Sequence, residues 1–466
     1  MGGSSLEQIP VIKNREYELE IDNLGMNGEG IGRIEGFTMF IPGALPGERV
    51  RIKAVKVGKS YGYGKLLEIM KPSNERIKPK CPYFGRCGGC QLQHMSYPLQ
   101  LKFKKQLVKD AIERIGGLDS ILIHDTIGMK NPWRYRNKMQ FPVGSIKGKL
   151  AIGFYAPRSH NIIDMDMCQI QHSINDEIVK VVRQYIKDFN IRPYDEIAHK
   201  GIVRHIVSKV GFESGEVMAI IVTNGHTLPH KDKLIKRLRE NIPGIVSIIQ
   251  NINPDKTNVV LGKDNLILWG KDHIVDYIGD LKFKISPLSF FQVNPIMTVE
   301  LYNKAVEYAN LTGKEEVVDA YCGIGTISLF LARKAKKVYG IEVVPQAIED
   351  AKINALQNNI NNAEFMEGQA EEILPTMVDK GLKMDVAVVD PPRKGCDPKL
   401  LDALIYAQPD RIVYVSCNPA TLARDLMYIS DRGYKVQEVQ PVDMFPQTAH
   451  VECVVLMCAS SEAGKC

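Results

Sequence analysis

From Val317 onward the chain alternates short apolar runs with stretches of helical spacing, and this alternation constrains the fold more than any other feature. Val317 to Ala320, Val338 to Glu342, Met384 to Asp390, Arg411 to Ser416, Val436 to Val442 and Val451 to Cys458 read as strands. Between them, helical spacing runs from Gly325 through Ala335, from Pro345 to Asn358, and over 398–407 and 420–432. Parallel strands need long crossovers, usually helices, so the pattern predicts an α/β domain with a doubly wound, Rossmann-like, mostly parallel sheet covered on both faces. Ligands of such sheets bind beyond the carboxyl ends of the strands, where strand order reverses.

Three of those ends carry chemistry. Asp319-Ala-Tyr-Cys-Gly-Ile-Gly325 closes one strand and opens a helix, with glycines that let a ligand approach the backbone. Glu342 closes the next strand, where an acid can accept both ribose hydroxyls of an adenosine group. Asp390-Pro-Pro-Arg393 closes a third. The full GxGxxG pattern and the P-loop are both absent, so a nucleoside without phosphates fits better than NAD or ATP.

Val415-Ser-Cys417-Asn-Pro419 puts a cysteine on the same edge, with Pro419 at the first position of a helix whose N-terminus favours a thiolate. A lone strand-end cysteine is more often inert packing. Sharing an edge with Asp319, Glu342 and Asp390 makes Cys417 a candidate nucleophile, whereas Cys322, Cys396, Cys453 and Cys458 read as packing. Glu452, in His450-Val-Glu452, is the candidate general base, a role that needs partial burial to raise its proton affinity.

The N-terminal region differs. Five short strands between residues 12 and 70, punctuated by Gly and Pro, predict a small OB-like barrel. A linker from Lys71 to Lys80 leads to Cys81-x5-Cys87-x2-Cys90, a close metal-ligand spacing with Cys168 as the candidate fourth ligand; spacing leaves zinc and an iron–sulfur cluster both open. Residues 98–115 have helical spacing, and 120–285 are mixed and strand-rich. Residues 1–110 hold 18 Lys and Arg against 11 Asp and Glu, and 49–109 hold 15 against 2, a field that attracts phosphate backbones. No apolar run approaches the roughly 20 residues of a membrane span. Met1 to Pro10 lacks the pattern of a secretory signal, so the expected compartment is the cytoplasm.

Taken together, Ser289-Phe-Phe-Gln-Val-Asn294, Asp319 to Gly325, Asp390-Pro-Pro-Arg-Lys-Gly395, Ser416-Cys-Asn-Pro419 and His450-Val-Glu-Cys453 resemble the bacterial TRAM-domain RNA 5-methyluridine methyltransferases of the 23S ribosomal RNA type, over about Lys13 to Met457. The resemblance implies a class I domain dependent on S-adenosylmethionine at 98–127 and 285–460. It also implies a TRAM OB-like RNA-binding barrel at 12–70 and a central RNA-binding domain with the cysteine cluster at 71–97 and 128–284. It implies that Gln292, Tyr321, Glu342 and Asp390 line the cofactor and base pocket, with Gln369 near the adenine. Cys417 becomes the nucleophile, Glu452 the base, and Cys81, Cys87, Cys90 and Cys168 the ligands of a [4Fe–4S] cluster. The implied partner is structured RNA, 23S ribosomal RNA, bound by a monomer with no membrane association. The chemistry explains the cysteine: carbon 5 of uracil becomes nucleophilic when a thiolate adds to carbon 6.

Three other readings stay open on sequence alone. One keeps the chemistry and targets the T-loop of transfer RNA. Another is an amino-group methylase using Asp390-Pro-Pro-Arg393, which needs no nucleophile. The last is a non-catalytic RNA-binding protein.

Overall fold

The computed structural model describes residues 9–460. Their contacts gather into two compact units: the described residues up to Phe103 with Gln447–Ala449, and Lys104–Pro446 with the described residues from His450. Most of the segment read for a secretory signal, residues 1–8, lies outside the described residues.

The first unit is built on a closed barrel of β1 (Glu16–Leu24), β2 (Gly30–Ile34), β3 (Phe37–Ile41), β4 (Arg49–Val57) and β5 (Tyr61–Lys71), ordered β1-β2-β3-β5-β4. Alternation makes it: Leu19, Ile21, Met39, Ile41, Val50, Ile52 and Ala54 point inward and fill the core. A Cβ at Gly32 would come within 2.2 Å of the Glu20 carbonyl oxygen, so only glycine fits there. Arg76 clamps the fully buried Glu48 through two bonds of 2.6 and 2.8 Å and so fastens the linker to the barrel.

Helix α1 (Tyr97–Arg114) carries the chain into the second unit, which holds two large sheets. Strand β6 (Leu122–Ile123) joins the later one. The earlier contains β7 (Lys138–Ile146), β8 (Lys149–Tyr155), β9 (Ile162–Asp164), β10 (Val203–Val210), β11 (Val217–Thr223), β12 (Ile245–Ile252) and β13 (Asp264–Gly270) in the order β13-β12-β11-β10-β7-β8-β9. Helices α2 (Ser173–Asp188) and α3 (Lys231–Asn241) pack against it. A hairpin, β14 (Ile274–Ile278) and β15 (Leu281–Ile285), follows within the segment expected to be central. It packs on α4 (Pro295–Ala309), α5 (Thr326–Ala332) and α6 (Pro345–Gln357), where Asn354 and Asn358 accept from its edge amides, while its Asp276 accepts from the Phe212 and Glu213 amides of the central segment.

The second sheet adds β16 (Glu316–Ala320), β17 (Lys337–Glu342), β18 (Ala363–Glu367), β19 (Val386–Val389), β20 (Arg411–Ser416), β21 (Tyr434–Val442) and β22 (Glu452–Ala459) in the order β18-β17-β16-β19-β20-β22-β21-β6. The first five run parallel, and β22 lies antiparallel between β20 and β21. Val318, Ala320, Ala387, Val389, Ile412 and Tyr414 face a core shared with α1, α7 (Ala370–Asp379), α8 (Pro398–Ala407) and α9 (Pro419–Ser430). Alternation turns Val317 and Asp319 to the opposite face, where α4 and α5 lie. The expected doubly wound domain is present, and its strand order reverses between β16 and β19. No helix among the described residues is long and apolar enough to cross a membrane.

Candidate active site

A cavity of about 690 Å³ opens at the carboxyl ends of β16, β17 and β19. Gln292, Tyr321, Glu342, Asp390, Cys417 and Glu452 all line it, as does Gln369. The sheet brings together six side chains that are up to 160 residues apart in sequence.

Each wall has a local cause. Tyr321, at the tip of β16, takes φ +77°, a conformation unusual for a side chain of its size, while its amide donates to the Ile341 carbonyl at 3.0 Å. Gly323 at φ +55° has open space where a Cβ would stand, so a ligand can lie against its backbone. Glu342 is fixed at both oxygens, accepting from the Gly323 amide at 3.2 Å and the Val344 amide at 2.9 Å. Asp319 is fully buried; one oxygen accepts from Ser328, and the other has no partner. A buried, unsatisfied acceptor is costly unless a ligand donor meets it.

The opposite wall is the loop after β19. Asn418 caps α9 by accepting from the Ala420 amide and, with its own amide, donates to the Arg393 carbonyl at 3.0 Å. Thr421 donates to the same carbonyl, Arg424 to that of Lys394. A third wall is the loop from Ser286 to Asn294. Buried Lys209 donates to the carbonyls of Ser286 (2.6 Å) and Ser289 (2.8 Å), and Asn137 donates to that of Gln292 (2.9 Å). Asn294 reaches the Met444 carbonyl beside Phe445, another lining residue.

The acids are crowded and dry. Burial pushes Asp319 up to about 7, with Asp390 and Glu342 adding to the shift. Burial pushes Asp390 up to about 6. Glu452, 4% exposed, is held well above the carboxylate range by burial and by Asp390, with Arg393 opposing. Cys417 departs from expectation: burial, then Glu452 and Asp390, push its thiol up to about 11, so the helix end does not make it a standing thiolate. Cys322, Cys396 and Cys453 are buried, as packing residues should be.

The four cysteines of the expected cluster are divided between the two units, Cys81, Cys87 and Cys90 in the first and Cys168 in the second. Among the described residues no group of three or more His, Cys, Asp or Glu side chains could hold a metal ion. Cys87 is buried beside Cys81, which raises its thiol further, and its sulfur accepts from the Gly89 amide. Cys168, in the second unit, is held by its backbone, which accepts from Arg134 and donates to Asp176.

Sequence reasoning missed the lining role of Arg393, Phe290, Tyr302 and Phe445. Phe290 stood inside a quoted motif, and its 66% exposure is the signal that sequence lacks. Tyr302 lies on α4, a helix that was not anticipated.

Residues 236–460 match the tRNA (uracil-5-)-methyltransferase family model and residues 10–67 the TRAM domain. An uncharacterized RNA methyltransferase of Clostridium tetani is 57% identical over 451 residues, 97% of this chain and 98% of that protein. Another, of Caldanaerobacter subterraneus, is 52% identical over 442 residues, 95% of this chain and 98% of that one. The crystal structure of the Pyrococcus abyssi tRNA (uracil-54, C5)-methyltransferase with S-adenosyl-L-homocysteine superposes with a TM-score of 0.77 at 30% identity, covering 94% of this chain and 99% of that one. On these matches, this protein belongs to the TRAM-containing, S-adenosylmethionine-dependent RNA 5-methyluridine methyltransferase family.

Proposed function

We propose that this protein methylates carbon 5 of a uridine in 23S ribosomal RNA through a covalent adduct between Cys417 and carbon 6. The observation that carries the reading is the common cavity of Cys417, Glu452 and the Asp319, Glu342 and Asp390 edge. S-adenosylmethionine supplies the methyl group as a sulfonium electrophile. Glu342 would hold the ribose hydroxyls, and the unpartnered oxygen of Asp319 suits the amino group. Gln292 and Tyr321 would complete the wall, with Gln369 toward the adenine.

The Cys417 thiol releases its proton to solvent as its sulfur adds to carbon 6, and the carbon 5–carbon 6 electron pair shifts into an enolate. Two neighbouring carboxylates oppose that anion, and Arg393 is the cation beside it. After carbon 5 is methylated, Glu452 takes its proton, and the electrons left behind expel the thiolate. A carboxyl whose proton affinity is raised by burial is suited to that transfer.

Transfer RNA is the second reading, favoured by the family description and by the P. abyssi enzyme. The barrel alone does not separate them, since that tRNA enzyme covers 94% of this chain. The ribosomal preference rests on the cysteine spacing and the resemblance. So does the [4Fe–4S] cluster on Cys81, Cys87, Cys90 and Cys168, for which iron and acid-labile sulfide in anaerobically purified protein are the measure. We further infer a monomer acting in the cytoplasm.

Mapping 5-methyluridine in both RNAs from a deletion strain tests the substrate. Loss of one site in 23S RNA is expected, and loss confined to the T-loop overturns it. Cys417→Ala tests the chemistry: turnover and denaturant-stable RNA adducts vanish together. A fully active variant would favour an amino-group methylase, and cofactor binding by the wild type without transfer to any RNA would favour a non-catalytic role.

A further inference from the structure

The segment from Asp443 to Pro446, directly after β21, has no regular structure, yet only Phe445 in it is not fully buried. Loops ordinarily run over the surface, because their backbone groups need partners. Here three consecutive carbonyls find theirs in side chains from three separate parts of the chain. Asn294 donates to the carbonyl of Met444, Lys104 to that of Phe445 and Tyr135 to that of Pro446, each at 3.0 Å. Lys104 also pairs with Asp443, and neither of those side chains is exposed. Desolvating two charges offsets most of their attraction, so such a pair adds little to stability and serves chiefly to fix geometry.

What this strap presents is Phe445, which lines the cavity that also holds Cys417 and Glu452. The strand register ties the strap to the base: Glu452 lies directly across from Val442, the residue before Asp443. Lys104 and Tyr135 do not themselves line the cavity. A carboxylate that water reaches is stabilised by hydration and becomes a weaker proton acceptor, so the wall around the base matters to its chemistry.

We propose that Lys104 and Tyr135 are positioning residues for the release half of the reaction: by pinning the carbonyls of Phe445 and Pro446 they keep the Phe445 ring in the cavity wall and water away from Glu452 while it takes the proton from carbon 5. The inference rests on the reading of Glu452 as the base and deepens it by naming what holds that base's surroundings. Loss of the proton leaves its electron pair to re-form the carbon 5–carbon 6 double bond and expel the Cys417 thiolate. A hydrated or displaced base therefore stalls the enzyme after methyl transfer, as a methylated covalent adduct. The strap acts on that step and leaves cofactor binding alone.

The test uses the full-length protein, S-adenosylmethionine labelled in its methyl group, and total RNA from a strain lacking the protein. Reactions are quenched in denaturant, so that label in a protein–RNA adduct separates from label in free RNA. Glu452→Gln is the reference for a full stall. Tyr135→Phe removes one bond and keeps the ring, and Lys104→Met with Asp443→Asn removes the ion pair without leaving a charge unpartnered. Each should lower kcat by about 10-fold and raise the adduct fraction by a similar factor, since a small displacement of a reacting group suffices for that. The cofactor Kd, measured by calorimetry without RNA, should stay within about 2-fold of wild type. With adduct present in Glu452→Gln, wild-type adduct levels in both variants overturn the proposal and leave the base standing. A fall in kcat matched by a fall in cofactor affinity also overturns it, because that is general loosening of the fold. Normal release by Glu452→Gln overturns the reading of the base and the proposal with it.

Discussion

The two ends of the second sheet treat acids in opposite ways. At its amino ends, Glu316 pairs with Lys336 at 2.8 Å, Lys337 with Glu364 at 2.8 Å, and Lys383 with Asp385 at 3.5 Å. The Lys336 bond holds Glu316 below the ordinary carboxylate range. At the carboxyl ends, Asp319, Asp390 and Glu452 crowd one cavity with no ion pair among the described residues, and burial drives all three up. One edge is electrostatically settled; the other is held out of balance by the fold. Such imbalance marks a site prepared for a ligand, because nothing in stability alone would favour it.

Glu452→Gln should break the unbalanced end most severely. It removes the proton acceptor while leaving the nucleophile, so turnover should fall by about 10²- to 10⁴-fold. A methylated RNA adduct stable to denaturing gels should accumulate; normal release with no adduct would exclude Glu452 as the base. Next in size is Glu342→Gln, which should weaken S-adenosylmethionine binding by roughly 10- to 100-fold, the worth of charged hydrogen bonds. Calorimetry with the cofactor alone measures it.

Lys209→Met cuts two of the bonds that hang the 286–294 loop on the first sheet. KM for the cofactor should rise by about 10-fold, with a smaller change in kcat, since Gln292 is displaced and the nucleophile is not. Steady-state kinetics would separate the two constants.

The smallest effects sharpen the contrast through stability. Asp319 carries a raised folded-state pKa, about 7 against an ordinary 3.8, so the folded chain binds more protons than the unfolded one between those values. Stability therefore falls as pH rises through that window. Asp319→Asn should stabilise the protein at pH 8 by on the order of 1–3 kcal/mol, and hardly at pH 4. Glu316 has a lowered value, so its contribution exists above the unfolded pKa and fades as pH falls. Glu316→Gln should cost about 1 kcal/mol or less at pH 7, and less again in high salt. Thermal melts at both pH values would show the two signs, and equal signs would dissolve the contrast.

Much of this was legible in the chain. The barrel strands and those from Val317 onward announce themselves because inward apolar residues alternate cleanly and turns carry Gly or Pro. Strand β18 was hidden because, at the sheet edge, Phe365 is its only fully buried residue. Helix α4 was hidden because Thr298, Tyr302 and Tyr308 share its buried face with Leu301 and Val306, which blurs the periodicity. Several residues that line the cavity were readable from motifs at strand ends. Their proton affinities were not: the helix end suggested a thiolate at Cys417, and only the packed cavity reveals that burial wins. The four-cysteine spacing was readable too, but spacing alone leaves the bound group open between zinc and an iron–sulfur cluster.

Asn418 joins the strand end that carries Cys417 to the loop of Asp390 and Arg393 with a single amide. Cys417 and that loop thus form a fixed jaw. The facing jaw, Ser286 to Asn294, is held by Lys209 of β10 and by Asn137 just before β7, as well as by Asp350 of α6 and the Met444 carbonyl. The width of the cavity is therefore set partly by a sheet that contributes none of its lining residues.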